Sequence, residues 1–155
     1  MRPAQTPVGL HLTQMSRTIS RAFDDALAAA GGSLPVWLVL LNLTIRDVAS
    51  QRELAEAMGI REATLTHHLN AMENGGLVTR ERDRTNRRVH VVKLRAAGQD
   101  LFGRLRDAAV AFDAQLRQGF SPAQLQEFTE VLDRMAANVA GSHSGPPRAG
   151  LTEGG

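Results

Sequence analysis

Residues 50–94 read SQRELAEAMGIREATLTHHLNAMENGGLVTRERDRTNRRVHVVKL, and this stretch decides the fold. Ser50 followed by Glu53 makes a capping box, in which the serine oxygen accepts from an orphan backbone N–H and the glutamate reaches back. Leu54, Ala57 and Met58 then recur at i, i+3 and i+4 and predict one apolar stripe on a short helix. Gly59 suits the left-handed residue that ends a helix. In the next segment Leu65, Leu69 and Met72 recur at i, i+4 and i+7, which predicts a second helix with these side chains inward. Thr64, Thr66, His67 and Asn70 fall largely outside that stripe, and their short polar groups can approach base edges and phosphates closely. Asn74-Gly75-Gly76 stops the helix.

Two strands are expected next, Leu77–Arg80 and Val89–Val92, with Thr85-Asn86 as the turn between them. Arg80, Arg82, Arg84, Arg87 and Arg88 crowd this hairpin. Helix, turn, helix and basic hairpin together describe a winged helix-turn-helix, whose second helix enters the DNA major groove. Charge agrees with that reading. Between Arg61 and Arg95 there are eight Lys/Arg and four Asp/Glu, against ten and twelve elsewhere. A net charge of +2 therefore hides a patch of about +4 on a slightly acidic frame, the electrostatic footprint of a phosphate binder. A hairpin arginine can also enter a narrow minor groove, where the negative potential is enhanced. The expected DNA contacts are Arg61, Thr64, Thr66, His67, Asn70, Arg82, Arg84, Arg87 and Arg88.

This segment resembles the DNA-binding domain of the MarR (multiple antibiotic resistance regulator) family of bacterial transcription factors. The wing stretch Asp83-Arg84-Thr85-Asn86-Arg87-Arg88 is similar to the family's acidic-then-arginine pattern. The family more often has an acidic residue where Asn86 stands, and a Ser or Thr cap where Arg61 and Arg95 stand. The resemblance runs from about Leu10 to Ala140. It implies terminal helices that interlock two subunits, and a pocket where the first two helices meet the winged module, often taking aromatic acids or phenols. It also places His67 where relatives often carry an arginine facing DNA. One physical argument supports a dimer: a single recognition helix reads too few base pairs to be selective, whereas two read half-sites about 34 Å apart. A pseudopalindromic operator is expected.

The rest of the chain reads as helix. Leu12, Met15, Ile19, Phe23 and Ala26 keep helical spacing from about Val8 to Ala30, where Gly31-Gly32 intervenes. Ser33-Leu34-Pro35 opens a second helix that runs through Trp37 to about Ile45. Ala96–Gln118 carries Leu101, Leu105, Ala108 and Phe112 on one face. Ser121-Pro122-Ala123-Gln124 combines a cap, an N1 proline and a capping-box glutamine, and the helix after it carries Leu125, Phe128, Leu132 and Met135 on one face. The expected organisation is thus mainly α (α+β): a disordered start (1–7), two helices for dimerisation and the pocket (8–46), a winged helix-turn-helix with a two-stranded wing (47–94), C-terminal dimerisation helices (95–140) and a disordered Gly/Ser/Pro tail (141–155).

Composition excludes several functions. Cysteine is absent, which removes disulfides, thiolate metal sites and thiol-based oxidation sensing together. There is no apolar run of membrane-spanning length and no secretory signal pattern at the N-terminus, so a bacterial cytoplasmic, nucleoid-associated protein is expected. Arginine outnumbers lysine seventeen to one, which alongside abundant alanine and glycine reflects a GC-rich genome as readily as phosphate binding. No Gly-rich phosphate loop, HExxH, nucleophile elbow or cysteine nucleophile is present, so no enzyme and no cofactor are expected. His68 lies on the inward stripe beside His67, and adjacent helical histidines point about 100° apart. With His11, His90 and His143 distant in sequence, no metal site is expected.

For an effector the candidates are His11, Arg17, Arg21 and Trp37. Gln14, Arg17 and Arg21 share one helix face, and two arginines at i, i+4 repel mildly, so an anion between them is favoured. That anion is a ligand carboxylate or a side chain such as Asp25, four residues after Arg21. His11 lies near the apolar stripe and Trp37 in a very apolar helix, so packing is open to both. The expected function is a homodimeric repressor released from its operator by a small aromatic or phenolic carboxylate. The alternative is an architectural or constitutive DNA-binding factor with no effector.

Overall fold

Residues 6–140 are described by a computed structural model. The expected disorder at 1–7 falls largely, and that at 141–155 wholly, outside the described residues, as does His143. The described chain runs α1 (Val8–Ala29), α2 (Leu34–Arg46), β1 (Val48–Ser50), α3 (Gln51–Met58), α4 (Glu62–Asn74), β2 (Val78–Arg82), β3 (His90–Leu94), α5 (Ala96–Arg117) and α6 (Pro122–Ala140). It divides within α5 into two compact units, Met1–Ala114 and Gln115–Gly155.

In the first unit the sequence caps act as local chemistry demands. Ser33 accepts from the Val36 N–H and opens α2. Ser50 and Glu53 exchange both bonds of the capping box, at 3.1 Å and 2.8 Å, so α3 begins without an orphan donor between them. At its far end Gly59 has φ +65°, the Ile60 N–H reaches the Ala55 carbonyl and the Gly59 N–H reaches Glu56. A left-handed residue is required there, and it turns the chain sharply into α4. As expected from Arg61, α4 has no side-chain cap. Gly76, at φ +72°, closes α4 by the same pairing of bonds.

The core lies where α2, α3, α4 and the sheet converge. Leu54, Leu65, Leu69, Met72, Val78 and Val92 are at most 1% exposed, joined by Leu40 and Leu43 from α2 and by Leu101 and Leu105 from α5. Each such side chain stabilises the fold by roughly 1.5–3 kcal/mol on burial, so α4 is anchored by one whole face. The α3 stripe differs from its expected form. Ala55 is buried with Leu54, while Ala57 is exposed and Met58 only half-buried. An alanine fits either side of such a stripe, because its methyl group adds little to the choice of face. His68 is also corrected: it is half-buried at the core's edge, with its ring edge-on to His67 at 5.8 Å.

The sheet has three antiparallel strands in the order β1-β3-β2. The wing hairpin pairs Val78 with Leu94 through Arg82 with His90, so its strands begin and end later than expected. Ala49 of β1 pairs with Val92, a strand absent from the sequence reading. Its three residues tie the end of α2 to the wing. Between α2 and β1, Asp47 has φ +59°, the single non-glycine positive value among the described residues.

On α1 only Leu27 is fully buried, and Val8, Leu12, Met15 and Ile19 are 40–62% exposed. Phe23 is half-buried and packs against Phe112 of α5 at 5.1 Å. In the second unit Ser121 and Gln124 form the expected capping box, at 3.2 Å and 2.9 Å. No residue of α6 is buried, and Phe128 is 58% exposed. No single helix among the described residues is long and apolar enough to cross a membrane.

Candidate nucleic-acid interface

With its inner face fixed by Leu65, Leu69 and Met72, the opposite line of α4 is set by about 100° per residue. Ala63, His67, Asn70 and Asn74 occupy that line, and all four are exposed. His67 and Asn70 were singled out in the sequence; Ala63 and Asn74 were not, although the same periodicity points to them. Thr64 is exposed on a flank. Thr66 turns toward α3: its hydroxyl donates to the Glu62 carbonyl at 2.9 Å and accepts from Gln51 Nε2 at 3.3 Å. Arg61 is exposed at the start of the helix.

Arg80 has a different place from its neighbours. Its Nε and Nη2 donate to Glu73 Oε2 at 2.9 Å and 2.7 Å, and Nη2 also reaches Asn70 Oδ1 at 2.6 Å. Its backbone N–H donates to Glu73 Oε1 at 3.3 Å. The Arg80 guanidinium, donating to the Glu73 carboxylate, holds that carboxyl below its usual range. Charge-assisted bonds of this kind are short and orienting, so the recognition helix and the first wing strand are clamped together. One of the five hairpin arginines is thereby removed from the set that can reach a ligand.

At the wing tip, Asp83 Oδ1 accepts from both the backbone N–H and the hydroxyl of Thr85, at 2.8 Å and 2.9 Å. The backbone bond from Thr85 is the main reason its carboxyl lies below the usual range. Asn86 Oδ1 accepts from the Arg88 N–H at 3.2 Å. These Asx turns shape the tip, with asparagine supplying an oxygen where a carboxylate would otherwise stand. Glu81 is paired with Lys93 across the strands at 2.8 Å. Arg82, Asp83, Arg84 and Arg87 line a concavity at the wing, and Arg88 is exposed beside it. Among the described residues Arg82, Arg84, Arg87 and Arg88 form no ion pair. A helix exposing small polar groups therefore stands beside a hairpin bearing four guanidinium groups outside any ion pair.

Residues 33–90, from the cap of α2 to the first residue of β3, match the MarR family. The chain thus carries a MarR-family domain over that stretch. Solved structures agree in fold. A transcriptional repressor, CouR, bound to a 23-mer DNA duplex, is 23% identical with a TM-score of 0.76, over 84% of this chain and 92% of that one. A mutant of E. coli MarR complexed with operator DNA is 16% identical with a TM-score of 0.75, over 83% and 93%. BpsR of Bordetella bronchiseptica, described for regulation of its DNA binding by 6-hydroxynicotinic acid, is 19% identical with a TM-score of 0.75, over 88% and 97%.

The effector candidates are less gathered than the candidate DNA contacts of α4 and the wing. His11, Arg17 and Arg21 are exposed on α1, and no ion pair joins Arg21 to Asp25. Trp37 is half-buried and stacks on Phe102 of α5, centroids 5.3 Å apart and planes 10° from parallel. Phe102 in turn lines an open cleft with Leu43, Asp47, Lys93, Leu94 and Arg106, which none of the four candidates lines. Among the described residues no three His, Cys, Asp or Glu side chains gather to hold a metal.

Proposed function

We propose that this chain is a homodimeric, ligand-responsive transcriptional regulator that represses by occupying a pseudopalindromic operator. The observation that carries the reading is the exposed His67–Asn70 line of α4 beside the four unpaired arginines of the wing. The line has the size and polarity to meet base edges, and the arginines to neutralise phosphates. Arg61, Thr64 and Thr66 complete the set, with Thr66 acting from the α3 side. That CouR was solved on a DNA duplex and MarR with operator DNA supports the same use of the shared fold.

Dimerisation is supported by α1, whose exposed Val8, Leu12, Met15 and Ile19 form an apolar face that a second copy would cover. The effector is a small aromatic or phenolic carboxylate, held by the cationic line of Arg17 and Arg21 with His11 and Trp37. The regulation of BpsR by an aromatic acid is in keeping with this class. Ligand binding changes the separation of two recognition helices, and a coupling of about 1–3 kcal/mol shifts occupancy roughly 5- to 150-fold. The test is fluorescence anisotropy on the DNA upstream of its own coding sequence, titrated with a panel of aromatic carboxylates and phenols. Binding above a scrambled duplex, with release by one compound, is the expected result. Specific binding that no compound releases would favour the effector-free factor, and equal binding to both duplexes would refute the operator.

A further inference from the structure

We propose that Asn70, its amide oxygen clamped by Arg80, meets the operator through its NH2 donor, and so selects a keto base, guanine or thymine, at the position it faces. The inference rests on the proposed DNA-binding role of α4 and adds to it a rule of specificity. A side-chain amide ordinarily offers one acceptor and two donors, and turns whichever end its neighbour requires. At Asn70 the neighbour leaves no choice. Arg80 Nη2 stands 2.6 Å from Oδ1, and a guanidinium has donors but no acceptor. Reversing the amide would set N–H against N–H and forfeit a charge-assisted bond. Arg80 is itself held fast by Nε and Nη2 on Glu73 Oε2 and by its own backbone N–H on Glu73 Oε1. Its side chain is only 20% exposed. The amide is therefore fixed in orientation, one lone pair of its oxygen held by Arg80, and its NH2 group is the end left free of that clamp on the exposed line with His67.

This decides which base edges fit. Adenine is usually read by an asparagine that donates to N7 and accepts from N6–H2 together, and the second half of that pair needs the amide to turn its oxygen to the base, a movement that the Arg80 bond opposes. Cytosine presents only an amino donor in the major groove, which opposes another donor. Guanine presents O6 and N7, and thymine O4, all acceptors.

Binding-site selection from a randomised duplex library, by the full chain and its variants, reads this directly. The wild type should favour a keto base over an amino base by about fivefold or more at one position of each half-site, the worth of one net hydrogen bond. Asn70→Ala should flatten that position alone. Asn70→Asp keeps one oxygen on Arg80 and presents the other outward, so preference should invert to adenine or cytosine. Arg80→Met frees the amide to turn and should admit adenine there, with every other position unchanged. Circular dichroism checks folding of that variant, and the two exposed Asn70 variants carry the test without it. A clear wild-type motif with adenine required at the Asn70-dependent position would overturn the inference. So would a motif that neither Asn70 variant alters, or a loss of affinity uniform over all sequences, which would put Asn70 on phosphate. A wild type that enriches no sequence would refute the DNA-binding reading of α4 itself, and this inference with it.

Discussion

The recognition helix and α1 are both amphipathic, yet one is complete within a single chain and the other is not. Leu65, Leu69 and Met72 of α4 are at most 1% exposed, and the polar side of the helix is tied to the wing through Glu73 and Arg80. On α1 the apolar side is the exposed one, with Met15 at 42% and Ile19 at 44%. The contrast teaches that hydrophobic spacing predicts a helix and its sticky face, but not whose surface covers that face. In α4 it is the chain's own core. In α1, on the proposed reading, it is a second copy.

The largest expected effect breaks the complete region. Leu69→Ala removes a fully buried side chain from the inner face of α4 and should destabilise the fold by about 2–5 kcal/mol, read from the urea midpoint. A loss below about 1 kcal/mol would mean that the helix is not anchored by this face. Next, Met15→Glu with Ile19→Glu leaves every buried residue untouched. The winged module should stay folded while the proposed dimer comes apart, as sedimentation velocity would record. A dimer that survives both charges would move the interface off this side of α1.

The smallest effect sharpens the contrast, because it concerns the clamp that only α4 possesses. Glu73 is held below its ordinary value near 4.5 by Arg80, so its contribution to stability is present above that pH and fades as pH falls through the lower folded value. Urea midpoints between pH 6 and pH 3 should therefore fall less steeply for Glu73→Gln than for the wild type. Identical slopes would show that the pair contributes nothing that titrates.

Legibility in the sequence follows how local each interaction is. The capping boxes at Ser50–Glu53 and Ser121–Gln124 span three residues and were readable, as was the Leu65, Leu69, Met72 stripe. Gly59 and Gly76 marked their turns because the backbone there needs φ above zero. By contrast β1 is three residues long, Val48–Ser50, too short for alternation to announce it, and it exists because β3 offers an edge. The roles within the hairpin were hidden for another reason. Nothing in spacing separates Arg80 from Arg82 or Arg84; only the fold brings Glu73 and Asn70, seven and ten residues away, against the first of them. Thr66 is similar, since its partner Gln51 lies fifteen residues upstream.

The wing carries the central claim, and one measurement addresses it most directly. The affinity of wild type and Arg87→Ala for the upstream duplex is followed by anisotropy from low to moderate salt. If Arg87 neutralises a phosphate, the variant binds all duplexes more weakly and its log–log salt slope is shallower by about one unit per lost contact in each protomer. An unchanged slope would contradict the account, because it would mean that this unpaired guanidinium releases no counterion when the protein meets DNA.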